Sequence, residues 1–163
     1  MIGKSFDTLK DQLTTAPVLS YANYGEPFVL ETDVSMQGLG AALSQYSGGQ
    51  ERVVAYASRS LRHNERNMNM YSSRKLERLA LTWAITDKLR DFLLGAKYTA
   101  YTDNNPLCYL QTSKLTAHEQ RWLSKLASFD FDVKYRQAKH NKNADALSRM
   151  YDKLELTRSE DAK

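Results

Sequence analysis

The sequence predicts an α/β protein: a five-stranded mixed sheet, its first three strands antiparallel, with helices packed on its faces. Three observations predict it. Short apolar runs at 28–33, 41–45 and 53–57 are joined by glycine-containing turns, the pattern of an antiparallel meander. A wide apolar stripe at helical spacing, from Leu76 to Phe92, marks a central helix. Phe129, Phe131, Val133 and Tyr135 alternate with Asp130, Asp132, Lys134 and Arg136, the period of a strand with one buried face.

The elements follow in order. Residues 1–27 form an N-terminal arm, where Phe6, Leu9 and Leu13 have helical spacing and Pro17 ends the helix. Pro27 precedes the first strand. Gly38 and Gly40 flank the turn into the second, and Ser47-Gly48-Gly49-Gln50 turns into the third. Residues 58–71 are polar and read as a loop. A helix runs over 73–94 and is capped by Gly95. Strand four covers 98–103, helical segments lie near 106–112 and 117–127, strand five follows, and a last helix covers 143–149. The main domain thus spans 28–149, and residues 150–163, of mixed charge and little apolar content, form a tail.

Composition sets bounds on function. The chain has 163 residues, enough for one domain with a real core. A net charge of +4 favours an anionic partner, although the basic residues are dispersed. Cys108 is the only cysteine, which excludes an intramolecular disulfide, and it sits in an apolar helical pattern that suits packing. His63, His118 and His140 show no metal-ligand spacing. No apolar stretch approaches the ~18 residues of a membrane span.

Four acidic residues carry the chemistry. Asp33 ends the first strand and Asp103 the fourth; Glu77 lies among core positions of the long helix; Asp145 opens the last helix. If strands one and four are neighbours, Asp33 and Asp103 share one edge of the sheet, and the two helices can bring Glu77 and Asp145 to it. Clustered carboxylates repel one another unless cations are present. Two Mg²⁺ ions ~4 Å apart would remove that penalty and create a catalyst for phosphodiester chemistry, with hard oxygen ligands and open positions for phosphate. Taken singly, each residue has a plainer account: a turn former or cap for Asp33 and Asp103, a helix-dipole partner for Asp145, a surface position for Glu77. The combination carries the reading.

These residues also carry a resemblance. Thr32-Asp33-Val34-Ser35, Gly38-Leu39-Gly40-Ala41, Tyr56-Ala57-Ser58-Arg59-Ser60-Leu61, Lys75-Leu76-Glu77, Tyr101-Thr102-Asp103-Asn104, Gln120-Arg121-Trp122 and Asn143-Ala144-Asp145-Ala146-Leu147-Ser148-Arg149 resemble, in order, the ribonuclease H domain of gypsy-type LTR retrotransposons. The similarity runs from about residue 5 to residue 149, and the arm around Thr15-Ala16-Pro17 resembles the junction with a preceding reverse transcriptase.

The resemblance implies a ribonuclease H-like fold and a metal-dependent endonuclease that cuts the RNA strand of RNA–DNA hybrids during reverse transcription. It assigns catalysis and metal binding to Asp33, Glu77, Asp103 and Asp145, with two Mg²⁺ ions for which Mn²⁺ substitutes. Hybrid recognition requires contacts to 2′-hydroxyls and phosphates, and Ser35, Arg59, Ser73, Arg74, Asn104 and Asn105 flank the acids and are the candidates. The implied partners are the hybrid and the reverse transcriptase of the same polyprotein, with no membrane, in a cytoplasmic virus-like particle or the nucleus. Neither a catalytic histidine nor a basic helical handle, both carried by cellular relatives, is evident. The alternative is therefore a weak or inactive domain that grips the hybrid or braces the polymerase.

Overall fold

The computed structural model describes residues 19–66, 72–103, 114–137, 140 and 142–149, with side chains from Ala144 onward in the last of these. The arm helix, the segment near 106–112 and the tail expected from the sequence lie outside the described residues, as do Asn104 and Asn105. Five strands are present: β1 (Phe28–Val34), β2 (Gly38–Ser47), β3 (Gln50–Ser60), β4 (Lys97–Thr102) and β5 (Asp130–Tyr135). The helices are α1 (Ser73–Trp83), α2 (Arg90–Leu93), α3 (Ala117–Leu126) and α4 (Lys142–Ser148), and a π-helical stretch, Ala84–Lys88, links α1 towards α2.

The sheet order is β3-β2-β1-β4-β5. β1, β2 and β3 pair antiparallel, whereas β4 runs parallel to β1 and β5 parallel to β4. This is the mixed five-stranded sheet that the sequence predicts. The hairpin between β2 and β3 turns at Gly48 and Gly49, whose φ values of 59° and 77° exclude most side chains.

Alternation along the strands divides the sheet into two unlike faces. Phe28, Leu30, Leu39, Ala41, Leu43, Tyr98 and Ala100 point to one core with Leu81, Ile85, Leu89, Trp122 and Leu126. This face carries α1 and α3. The opposite face presents Val29, Glu31 and Asp33 from β1 and Gly40, Ala42 and Ser44 from β2, all buried, and α4 packs over β1 and β2 there.

Three local readings are corrected. Gly38 and Gly40 lie inside β2, and β3 continues to Ser60, because residues 58–60 pair with 38–40 to complete the ladder. The long helix is not uniform: it passes through the π-helical stretch and breaks at Leu89, with φ −111° and ψ 12°. Tyr135 does not join the buried face of β5; it is half exposed, while Phe131 and Val133 pack against the core, since it lies at the last rung of the ladder on an edge strand.

Polar contacts lock α3 to α1. Arg78 is buried and pairs with Glu119 at 3.1 Å, its guanidinium over the Trp122 ring, and the Trp122 indole donates to the Thr82 hydroxyl. Thr116 and Glu119 form a reciprocal capping box at the start of α3. No helix among the described residues is long and apolar enough to cross a membrane.

Candidate active site

The parallel register of β1 on β4 sets the geometry. Phe28 lies beside Tyr98 and Glu31 beside Tyr101. The same offset carried on two residues puts Asp33 beside Asp103, on the sheet face that Glu31 and Tyr101 share. Glu77, in the second turn of α1, reaches the same strand ends. One carboxylate oxygen from each of Asp33, Glu77 and Asp103 lies within 4.8 Å of the others.

These charges are costly as they stand. Asp33 and Glu77 are each 7% exposed. Burial, then the charges of Asp103 and Asp33, pushes the Glu77 carboxyl up to about 8. Burial also pushes Asp33 up to about 6, helped by Asp103 and Asp145 and opposed by hydrogen bonds from Ser148 and the Val34 N–H. Glu31, two residues earlier on the same face, is also raised by burial, but it has a cation to oppose that: Arg136 pairs with it at 2.5 Å and stacks 3.6 Å above the Tyr101 ring. No ion pair reaches Asp33, Glu77 or Asp103 among the described residues.

A buried Glu77 oxygen, Oε2, has no hydrogen-bond partner. Hard oxygen donors, unneutralised and converging, with one lone-pair site left bare, fit a divalent cation. Asp145 stands at the rim. Its Oδ1 accepts from Arg149 Nε at 2.6 Å and its side chain is 40% exposed, so the structure gathers three of the four acids and leaves the fourth near enough to act on Asp33 through its charge.

A family model for the RNase H-like domain found in reverse transcriptase matches residues 23–129. The chain belongs to this family. Among curated relatives, the Pol polyproteins of the Drosophila melanogaster transposons opus and gypsy are 38% and 36% identical to it over 149 and 148 residues. Those stretches cover 90% and 89% of the chain but 14% of each polyprotein. The fold is shared with foamy viral protease-reverse transcriptase. Its complex with dsDNA gives a TM-score of 0.66 at 16% identity, over 82% of this chain and 29% of that one. Its complex with an RNA/DNA hybrid gives 0.55 at 20%, over 83% and 19%.

Within this RNase H-like domain, two expected substrate contacts have internal work. The Ser35 hydroxyl accepts from the amides of Gln37 and Gly38 and donates to the Ser148 carbonyl at 2.6 Å. Arg59 forks onto Glu65 at 2.7 and 3.1 Å, donates to the Ser60 carbonyl, and covers the Trp83 ring. Burial opposes the Glu65 charge, yet the bonds from Arg59 and the Arg62 amide hold its carboxyl below the usual range. Arg59→Ala is therefore expected to cost about 2 kcal/mol of stability in denaturant unfolding; parental stability would show that these internal contacts do not engage Arg59. Ser73 and Arg74 are exposed at the start of α1, free to meet a ligand, with Arg74 also bearing on Glu119.

Sequence reasoning missed Ser148 and the role of Gly40. Ser148 is fully buried and its hydroxyl donates to Asp33 Oδ2 at 2.7 Å. Gly40 pairs with Asp33 across the ladder. A Cβ there would come within 2.6 Å of the Ser148 amide nitrogen and 2.9 Å of Leu147 Cβ, and closer still to the Ala144 carbonyl oxygen. The available signals were the recurrence of small residues at 38 and 40 in a strand whose neighbours are apolar, and the place of Gly40 and Ser148 in the motifs that carry the resemblance.

Proposed function

We propose that this domain is the ribonuclease H of a retrotransposon Pol polyprotein, hydrolysing the RNA strand of RNA–DNA hybrids with two divalent cations, Mg²⁺ or Mn²⁺. The carrying observation is the convergence of Asp33, Glu77 and Asp103 within 4.8 Å, with the bare Glu77 oxygen. The family supports the reading. So does the fold shared with a reverse transcriptase that has been captured with an RNA/DNA hybrid.

Asp33, Glu77 and Asp103 would hold the cations, and Asp145 would add the fourth carboxylate from the rim. Divalent cations in such a site lower the pKa of water and neutralise charge on the phosphate. The protein's own part is to aim the carboxylates, and to dock the duplex by shape and 2′-hydroxyl contacts rather than by base sequence. Ser73 and Arg74, with Asn104 and Asn105, remain the proposed contacts. The reverse transcriptase of the same polyprotein is the proposed partner, and a virus-like particle the proposed setting.

The test is cleavage of labelled hybrid, double-stranded RNA and duplex DNA with Mg²⁺, Mn²⁺ or chelator. RNA of the hybrid alone is expected to be cut, and Asp103→Asn is expected to lower the rate by a factor on the order of 10³ or more, about 4 kcal/mol of transition-state stabilisation. Cut duplex DNA would redirect the substrate. A second reading, a domain that binds hybrid without cutting it, is favoured by one observation: Asp145 pairs with Arg149 and is not among the three acids that converge. Hybrid binding without cleavage under every metal condition would establish it.

A further inference from the structure

We propose that Ser148 is a positioning residue for cation binding: its hydroxyl fixes the Asp33 carboxylate, and Ser35 in turn fixes Ser148. The proposal rests on the reading of the acidic cluster as a divalent-cation site.

The Ser148 hydroxyl has one proton and two acceptors in reach, Asp33 Oδ2 at 2.7 Å and the Asp145 carbonyl at 3.0 Å. The shorter bond, to the carboxylate, is the stronger. It removes the rotational freedom that an aspartate at a strand end otherwise has, and it acts against repulsion from Asp103 and Asp145, which would drive that carboxylate aside.

Ser148 is itself held. Two amides, Gln37 N at 3.2 Å and Gly38 N at 3.0 Å, donate to Ser35 Oγ. With its lone pairs engaged, that hydroxyl directs its single proton to the Ser148 carbonyl at 2.6 Å. The bond ties the last turn of α4 to the turn between β1 and β2. Gly40 provides the space that the approach requires. Two bonds thus join Asp33 and Ser35 to the helix that carries Asp145. Neither hydroxyl is left for substrate. Groups that orient a metal ligand through a hydrogen bond change metal affinity by roughly 10- to 100-fold when removed.

The experiment is Mn²⁺ titration of the purified chain, followed by calorimetry and by the electron paramagnetic resonance of free Mn²⁺, alongside the Mg²⁺ concentration that gives half-maximal hybrid cleavage. Ser148→Ala is expected to weaken Mn²⁺ binding about tenfold or more and to raise the half-maximal Mg²⁺ concentration in parallel, with Ser148→Cys falling between it and the parent. Ser35→Ala, which leaves the Ser148 side chain in place, is expected to weaken binding by a smaller factor and keeps the test open should Ser148→Ala fail to fold. Parental Mn²⁺ affinity in folded Ser148→Ala, or in Ser35→Ala with Ser148→Cys, overturns the positioning role while leaving the cation site standing. A parent chain that binds no Mn²⁺ removes the cation reading and the proposal with it.

Discussion

Glu77→Gln is expected to abolish metal-dependent cleavage and, in chelator, to make the protein more stable at pH 8. The two effects share one cause. The Glu77 carboxyl is buried beside Asp33 and Asp103 and is pushed from 4.5 up to about 8. Between those values the folded chain holds a proton that the unfolded chain has released. Stability without divalent cations therefore falls as pH rises through that window, with a slope of up to roughly 1.4 kcal/mol per pH unit. Asp33, pushed from 3.8 up to about 6, adds to the fall at its acidic end. Glutamine cannot ionise, and its amide can donate to the neighbouring carboxylates, so the Glu77 share of the slope vanishes. The check is the melting temperature from pH 5 to 8 in chelator. The parent should lose stability with rising pH, regain it when Mg²⁺ is added, and be outlasted by Glu77→Gln at pH 8. A parental melting temperature that is flat across the range would show that the acids are not crowded. Loss of activity by a factor on the order of 10³ is expected in Mg²⁺; near-parental cleavage would remove Glu77 from the site.

Gly40→Ala is expected to be nearly as damaging without touching an ionisable group. The added methyl would lie 2.6 Å from a backbone nitrogen and closer still to a backbone carbonyl of α4. Backbone cannot step aside as a flexible side chain can, so the whole helix must lift from β2. Overpacking of this kind costs roughly 1–3 kcal/mol. The displaced α4 carries Asp145 and Ser148, so cleavage should drop by about 100-fold even where the protein remains folded, since a 1 Å misplacement can cost that much. Denaturant unfolding and hybrid cleavage on the same preparation check both. Parental activity in Gly40→Ala would show that α4 does not need its close seat.

Much of this was legible in sequence because the signals were periodic or paired. The alternation after Phe129, the glycine pair at 48 and 49 and the stripe from Leu76 to Phe92 each specify an element through a repeated physical constraint. Asp33 and Asp103 each end a strand, and parallel neighbours at a constant offset then bring them together. What failed to show was contact between distant small groups. Nothing in the local pattern around Ser148 says that its hydroxyl meets a residue 115 positions earlier. Arg59 and Ser35 looked available because they flank an acid in sequence; their partners, Glu65, Trp83 and Ser148, are set by packing. Asp145 joins the other acids in the sequence through its place on the last helix and in the motif that carries the resemblance; its pairing with Arg149, one turn along the same helix, is seen only in the structure.

The bond between Asp33 and Ser148 has a consequence for how the polypeptide is made. Synthesis delivers the sheet, Glu77 and Asp103 early, and the stretch that steadies Asp33 more than a hundred residues after Asp33 itself. A nascent chain halted before residue 142 contains all five strands yet lacks both Ser148 and Asp145. Docking of α4 against β1 and β2 is therefore a late and long-range step of the kind that slows folding.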